Sequence, residues 1–137
     1  MSAEVHRAIV FVCPHGALKS RLAAAFFNQA PPTGWRALSA GVRPQEDVSV
    51  YAAQLLSGTA AAAFLETQPP RPLTPTLGDH LVAIDCEVPG ATVWRLASDG
   101  PSPAMGEEIR GLVEQLIDQM AVTSEPGVHA WCERQPS

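Results

Sequence analysis

The chain carries no surplus of positive charge: 9 lysines and arginines stand against 14 aspartates and glutamates, a formal charge of −5 over 137 residues. A chain of that balance does not present a general nucleic-acid or anionic-membrane surface, so any anion site must be a local device. No uninterrupted apolar run approaches membrane-spanning length. Residues 1–7 lack the charged start and long apolar stretch of a secretory leader. Cysteine is scarce and odd in number, and Cys13, Cys86 and Cys132 show no zinc-like pairing, which argues against a disulfide framework. The expected compartment is the cytoplasm, where thiols stay reduced. No internal repeat is visible.

What is present describes an ordinary globular chain, 46% hydrophobic and long enough for one domain. Residues 8–13 form a near-continuous β-branched and aromatic run, the pattern of a central strand buried on both faces. Residues 20–29 read as a helix with Leu22, Ala25 and Phe26 on one face, stopped by Pro31, Pro32 and Gly34. A second strand is expected at 35–40, a helix at 48–56, and a further short helix at 60–65 after Gly58. Pro69, Pro70, Pro72 and Pro75 mark a stiff loop. Strands are expected at 81–84 and 91–96, and a helix at 105–122 whose stripe of Ile109, Leu112, Val113, Leu116, Ile117 and Met120 belongs to the core. Trp94 reads as core or pocket wall. Arg21, Arg36, Arg43, Arg71 and Arg95 read as solvated charges unless one of them lines a pocket. Residues 1–122 are expected to form the domain and 123–137 a polar tail. Strands alternating with helices define an α/β class with a parallel sheet, in which ligands bind beyond the carboxyl ends of the strands.

Cys13 stands at such an end, followed by Pro14, His15, Gly16, Ala17 and Leu18, then by Lys19 and Ser20 at the start of a helix. Gly16 fits a position needing positive φ, which lets successive N–H groups form an anion-binding nest. A helix N-terminus, converging amides and a nearby cation lower a cysteine pKa from about 8.5 to between ~3.5 and ~7.5. Lys19 supplies the cation, and the Ser20 hydroxyl is expected to donate to the sulfur while capping the helix. The same donors would hold the charge of a transferring phosphoryl group. Two readings of Cys13 stand together at this point: an inert buried thiol, or a nucleophile over an oxyanion cradle.

The segment from Val10 through Ser20, followed by Ala23, Ala24, Ala25 and Phe26, resembles the low-molecular-weight protein tyrosine phosphatases and their relatives, the thioredoxin-coupled arsenate reductases. Their signature is Cys, five residues, Arg, Ser after the first strand. Leu38, Ser39, Ala40 and Gly41 look like the end of their second strand, and Leu81 to Asp85 like the third. The resemblance implies a three-layer α/β fold: a four-stranded parallel sheet flanked by helices, with a phosphate-binding loop after the first strand. It also implies a hydrolase of phosphate monoesters, of the phosphotyrosine class, acting through a cysteinyl-phosphate and calling for neither metal nor cofactor. Cys13 is then the nucleophile, residues 14–20 the phosphate loop, and Asp99 the general acid.

This chain departs from that pattern in several places. Lys19 replaces the arginine, a point charge in place of a planar fork. Gly16 replaces an asparagine. His15 replaces a small residue, either as a solvated side chain or as a ligand contact. The late Asp-Pro pair becomes Ser98, Asp99, Gly100 and Pro101, in which Asp99 is either an acid within reach of the site or simply good turn chemistry. Tyr51 is the only tyrosine, so the paired rim tyrosines of many phosphotyrosine pockets are missing. Cys86, after the third strand, is either a packing residue or the second thiol of an arsenate reductase that passes its disulfide to an external thiol reductant. A third reading is a non-catalytic relative that binds an oxyanion or a phosphoprotein. On every reading the partner is phosphate or an arsenate-like oxyanion, not nucleic acid or membrane.

Overall fold

A computed structural model describes residues 7–74, 78–98 and 100–124. The β-branched run becomes strand β1, Arg7–Cys13, fully enclosed from Ile9 onward. Helix α1 follows at Lys19–Gln29, β2 at Trp35–Gly41, α2 at Val50–Leu56 and a 3-10 helix at Ala60–Phe64. Then come β3 at His80–Ile84, β4 at Thr92–Trp94 and helix α3 at Pro103–Ser124. Each expected element is present with ends displaced by a few residues; the segment after Gly58 is 3-10 rather than α-helical. The polar tail expected from 123 lies, past Ser124, outside the described residues, as does Cys132.

The four strands form one parallel sheet in the order β2-β1-β3-β4. The chain leaves β1 for β2 on one side and later crosses to β3 on the other, so the sheet's switch point lies at the C-terminal end of β1, at Cys13. The register pairs Cys13 with Gly41 there.

Alternation along β1 divides the core. Ile9, Phe11 and Cys13 join Leu22, Phe27, Leu56, Met105, Ile109 and Val113 in one cluster that takes in buried residues from every helix. Phe11 sits at its centre, edge-on to Phe27 at 6.0 Å and tilted against Trp94 at 5.7 Å. Val10, Val12 and Ala40 face the other way and are packed by Leu38, Leu73, Leu81, Cys86 and Val88. Among the described residues this second layer is therefore made of loop rather than helix. Residues 85–91 alone join β3 to β4, well short of the dozen or so that a helical crossover takes.

α1 is buried along its length from Ser20 to Phe27 rather than on the expected face alone. Three small alanines, 23–25, let the sheet, α3 and the 3-10 helix approach it from different sides.

The outer edge of β2 is closed by side chains. Asn28 accepts from the Ala37 amide at 2.8 Å and donates to its carbonyl at 3.0 Å, mimicking a peptide of a missing neighbour strand. Glu66 accepts from the Ser39 amide at 3.3 Å, and Arg71 donates to the Ser39 carbonyl at 2.9 Å. The Gly41 amide and carbonyl are met by the main chain of Arg71 and Leu73. An edge saturated in this way offers little to a second strand.

Candidate functional site

Six consecutive carbonyls, from the last residue of β1 onward, are tied off. Those of Cys13, Pro14 and His15 accept from the amides of Val42, Arg43 and Gln45, and that of Ala17 from Ser49. The Gly16 carbonyl accepts from Arg21 Nε at 2.9 Å, and that of Leu18 from the Leu22 amide as α1 begins. All peptide bonds here are trans, and a trans peptide points its N–H opposite to its C=O. With the carbonyls turned to the outside of the loop, the amides of His15, Gly16, Ala17, Leu18 and Lys19 turn to the inside. None of these five meets an acceptor among the described residues. The result is a concave run of donors at a helix N-terminus, the arrangement that binds phosphate-like anions.

Two glycines make the bend possible. Gly16 has φ of 67°, and a Cβ on it would stand 2.8 Å from the Gly41 nitrogen. A Cβ on Gly41 would stand 2.6 Å from the His15 carbonyl carbon. The loop and the end of β2 touch through bare backbone.

Cys13 is 3% exposed. Its Sγ lies 3.1 Å from Ser20 Oγ and accepts from the Ser20 amide at 3.4 Å. In the thiol the S–H donates to the hydroxyl; in the thiolate the hydroxyl turns and donates to sulfur. Ser20 does not cap α1, contrary to expectation. The N-cap is Leu18, without a side-chain cap, because Ser20 lies inside the first turn with its hydroxyl committed to the sulfur.

Lys19, the chain's one lysine, places Nζ 2.8 Å from Asp85 Oδ2. Asp85 follows β3 with φ of 56°, a left-handed conformation that Asp tolerates better than most residues. Its other oxygen accepts from the Leu96 amide at 3.0 Å. Burial alone would raise this carboxyl. The Lys19 and Leu96 hydrogen bonds, with the charges of Lys19 and Arg95, outweigh that and hold it below the usual carboxylate range.

A cavity of about 380 Å³ opens over Cys13, walled by Leu18, Lys19, Gln45, Ser49, Tyr51 and Pro101. His15 is exposed and borders both this cavity and a second one of about 230 Å³, lined also by Val42, Arg43, Cys86 and Glu87. Cys86 faces that second cavity and not the first. Its thiol donates to the Val12 carbonyl at 3.6 Å, and burial, reinforced by Cys13 nearby, pushes its pKa up.

Asp99 lies outside the described residues. On its near side the Ala97 and Ser98 amides and the Ser98 hydroxyl all donate to Glu108 of α3; on its far side Pro101 lines the Cys13 cavity. The Ala97 amide is the main reason the Glu108 carboxyl is held below its usual range.

Nothing in the sequence marks Arg21 as buried, or Arg71 as half-buried and paired with Glu66. Arg21 is 2% exposed, with Nη1 donating to the Glu66 carbonyl at 2.7 Å. Glu66 in turn accepts from Ser39 Oγ at 2.5 Å and pairs with Arg71 at 3.4 Å. Burial lowers the Arg21 pKa, opposed by the charge of Glu66. A helical arginine next to Lys-Ser looks like any surface charge; nothing local marks it as buried. Among the described residues no group of three or more His, Cys, Asp or Glu is placed to hold a metal ion, and no helix is long and apolar enough to cross a membrane.

No family model matches the chain, and no curated protein matches it in sequence. Solved structures do match. A thioredoxin-dependent arsenate reductase of Corynebacterium glutamicum superposes with a TM-score of 0.69 at 22% identity, over 90% of this chain and 66% of that one. The chain thus spans just under two thirds of that relative's length. A low-molecular-weight protein tyrosine phosphatase of T. tengcongensis gives 0.61 at 19% identity, over 82% of this chain and 99% of its own. An arginine phosphatase of Geobacillus stearothermophilus gives 0.58 at 20% identity, over 96% and 99%. The chain therefore has the fold shared by low-molecular-weight phosphatases and thioredoxin-dependent arsenate reductases, the fold that the resemblance implied.

Proposed function

We propose that the protein is a cytoplasmic, phosphatase-like hydrolase of phosphate monoesters. The observation that carries the reading is the loop's division of labour: carbonyls of residues 13–18 bound outward, amides of residues 15–19 left as donors beside the Cys13 sulfur. Such donors stabilise charge on the equatorial oxygens without rearranging during the reaction. As the thiolate, Cys13 Sγ attacks phosphorus, the bond to the leaving oxygen breaks, and that oxygen takes a proton from Asp99. Water then attacks the cysteinyl-phosphate, Asp99 takes its proton, and the S–P bond breaks with Ser20 Oγ donating to the departing thiolate. The phosphoryl group competes with Asp85 for the Lys19 ammonium. Tyr51, Leu18 and Pro101 give the cavity apolar walls suited to an aromatic leaving group, so a phosphotyrosine-class ester, free or on a protein, is the substrate class proposed.

Hydrolysis of a chromogenic aryl phosphate tests the reading. Activity that depends on Cys13 and vanishes in Cys13→Ser supports it; activity that survives the substitution eliminates the mechanism.

The arsenate reductases among the solved relatives favour a second reading, in which the loop holds arsenate and Cys86 resolves the adduct with help from an external thiol. Cys86 faces the other cavity, is bonded to the Val12 carbonyl and is disfavoured as a thiolate, so we prefer the hydrolase. Arsenate turnover abolished by Cys86→Ala would reverse that preference. Phosphate binding without hydrolysis of any aryl ester would leave the binding-only relative.

A further inference from the structure

Of the six outward carbonyls, five are held by main-chain N–H groups and one, that of Gly16, by a side chain. A flip of the peptide that carries it changes ψ of Gly16 and φ of Ala17, and Gly16, having no Cβ, offers little steric resistance to the first. Turning over the Gly16–Ala17 peptide would withdraw the Ala17 amide from the concave side and present a carbonyl oxygen to the anion in its place. Gly41 packs on the glycine itself but leaves that carbonyl to Arg21. The guanidinium cannot swing away: it is 2% exposed and held at its other end by the Glu66 carbonyl at 2.7 Å. Glu66 is fixed in turn by Ser39 and Arg71. The fork of Arg spans two carbonyls at once, where an ammonium on a flexible stem would not.

We infer that Arg21 is the positioning residue of the loop, locking the Gly16–Ala17 peptide so that the Ala17 amide faces the oxyanion. It rests on the oxyanion-binding reading proposed above and acts through Ala17, without touching substrate. It also brings a fixed positive charge beneath a loop whose ammonium is engaged by Asp85.

The test titrates wild type, Arg21→Met and Arg21→Lys with inorganic phosphate, following the loop amides by NMR and the affinity by calorimetry. Thermal melts check folding. Loss of a charge-assisted hydrogen bond is expected to weaken phosphate binding about tenfold or more in Arg21→Met. The phosphate-induced shift of the Ala17 amide should disappear while those of Leu18 and Lys19 persist, and Arg21→Lys should fall between. A merely structural role would lower the melting temperature and disturb the loop as a whole without singling out Ala17. If Arg21→Met does not fold, Arg21→Lys carries the same Ala17 readout. Wild type that binds phosphate, with variants matching it in affinity within about twofold and in the Ala17 shift, overturns the inference. Wild type in which no loop amide responds to phosphate overturns the oxyanion-binding reading instead.

Discussion

Lys19 Nζ is 2.8 Å from Asp85 Oδ2, so the one cation of the phosphate loop is shared with a carboxylate sixty-six residues further along the chain. An incoming oxyanion must compete for it. Asp85→Asn is the suitable probe, because Asn tolerates φ of 56° and keeps an oxygen for the Leu96 amide. A part-buried pair of this kind is worth on the order of 1 kcal/mol, so freeing Lys19 should tighten phosphate binding about fivefold by calorimetry. The pH dependence has a definite sign. A carboxyl depressed by folding contributes stability that is present above its unfolded pKa of about 3.9 and lost as pH falls through the lower folded value. Melting temperatures measured from neutral pH down to about 3 should therefore fall more steeply for wild type than for Asp85→Asn. Glu108, depressed in the same direction by the Ala97 amide, leaves a residual acid slope in the variant.

Ser20→Ala removes the hydroxyl 3.1 Å from the Cys13 sulfur at a fully buried position where alanine fits. Hydrogen bonds to charged groups are worth about 1.5–3 kcal/mol, so kcat on an aryl phosphate should fall about ten- to hundredfold. KM should change little. An unchanged kcat would remove Ser20 from the proposed mechanism.

Gly41→Ala should damage stability and site together, because its Cβ would stand 2.6 Å from backbone of His15 that no side-chain movement can relieve. Overpacking of this kind costs about 1–3 kcal/mol. The expected result is a lower melting temperature with loss of phosphate binding. Gly34→Ala, with open space around it but a positive φ of 85°, should lose stability without losing the anion.

Asn28→Leu strands both the amide and the carbonyl of Ala37 on the open edge of β2. Unsatisfied groups of this kind cost about 1–3 kcal/mol, a fall of roughly 4 °C for each kcal/mol in a domain of this size. Concentration-dependent association should accompany it, visible by sedimentation, since the edge is then free to pair. A monomeric variant with wild-type melting would mean that Asn28 does not guard the edge.

The sheet was legible because its signals are local. The apolar run ending in Cys13 has the composition of a central strand, and Gly16 stands where the turn needs positive φ. Prolines and glycines punctuate the elements in between. Less of the site could be read, because its decisive contacts join residues far apart in sequence. Asp85 meets Lys19, Glu66 meets Ser39, and Arg21 reaches both Gly16 and Glu66; before folding each looks like an ordinary charge or loop residue. The Ser20 cap failed for a related reason. A serine beginning a helix usually serves the backbone, but here the buried sulfur competes for its hydroxyl and wins. The part of the looped second layer that Cys86 and Val88 supply follows from the brevity of residues 85–91, a matter of crossover length rather than of any single residue.

Trapping the reaction on the sulfur is the most direct test of all. Wild type quenched in acid during turnover of an aryl phosphate, then digested and weighed by mass spectrometry, should carry a phosphoryl group on the peptide containing Cys13. Cys13→Ser should neither turn over nor carry that thiol-linked adduct. Steady turnover with Cys13 unmodified, or with the phosphoryl group on another side chain, would contradict a cysteinyl-phosphate cradled by the amides of residues 15–19.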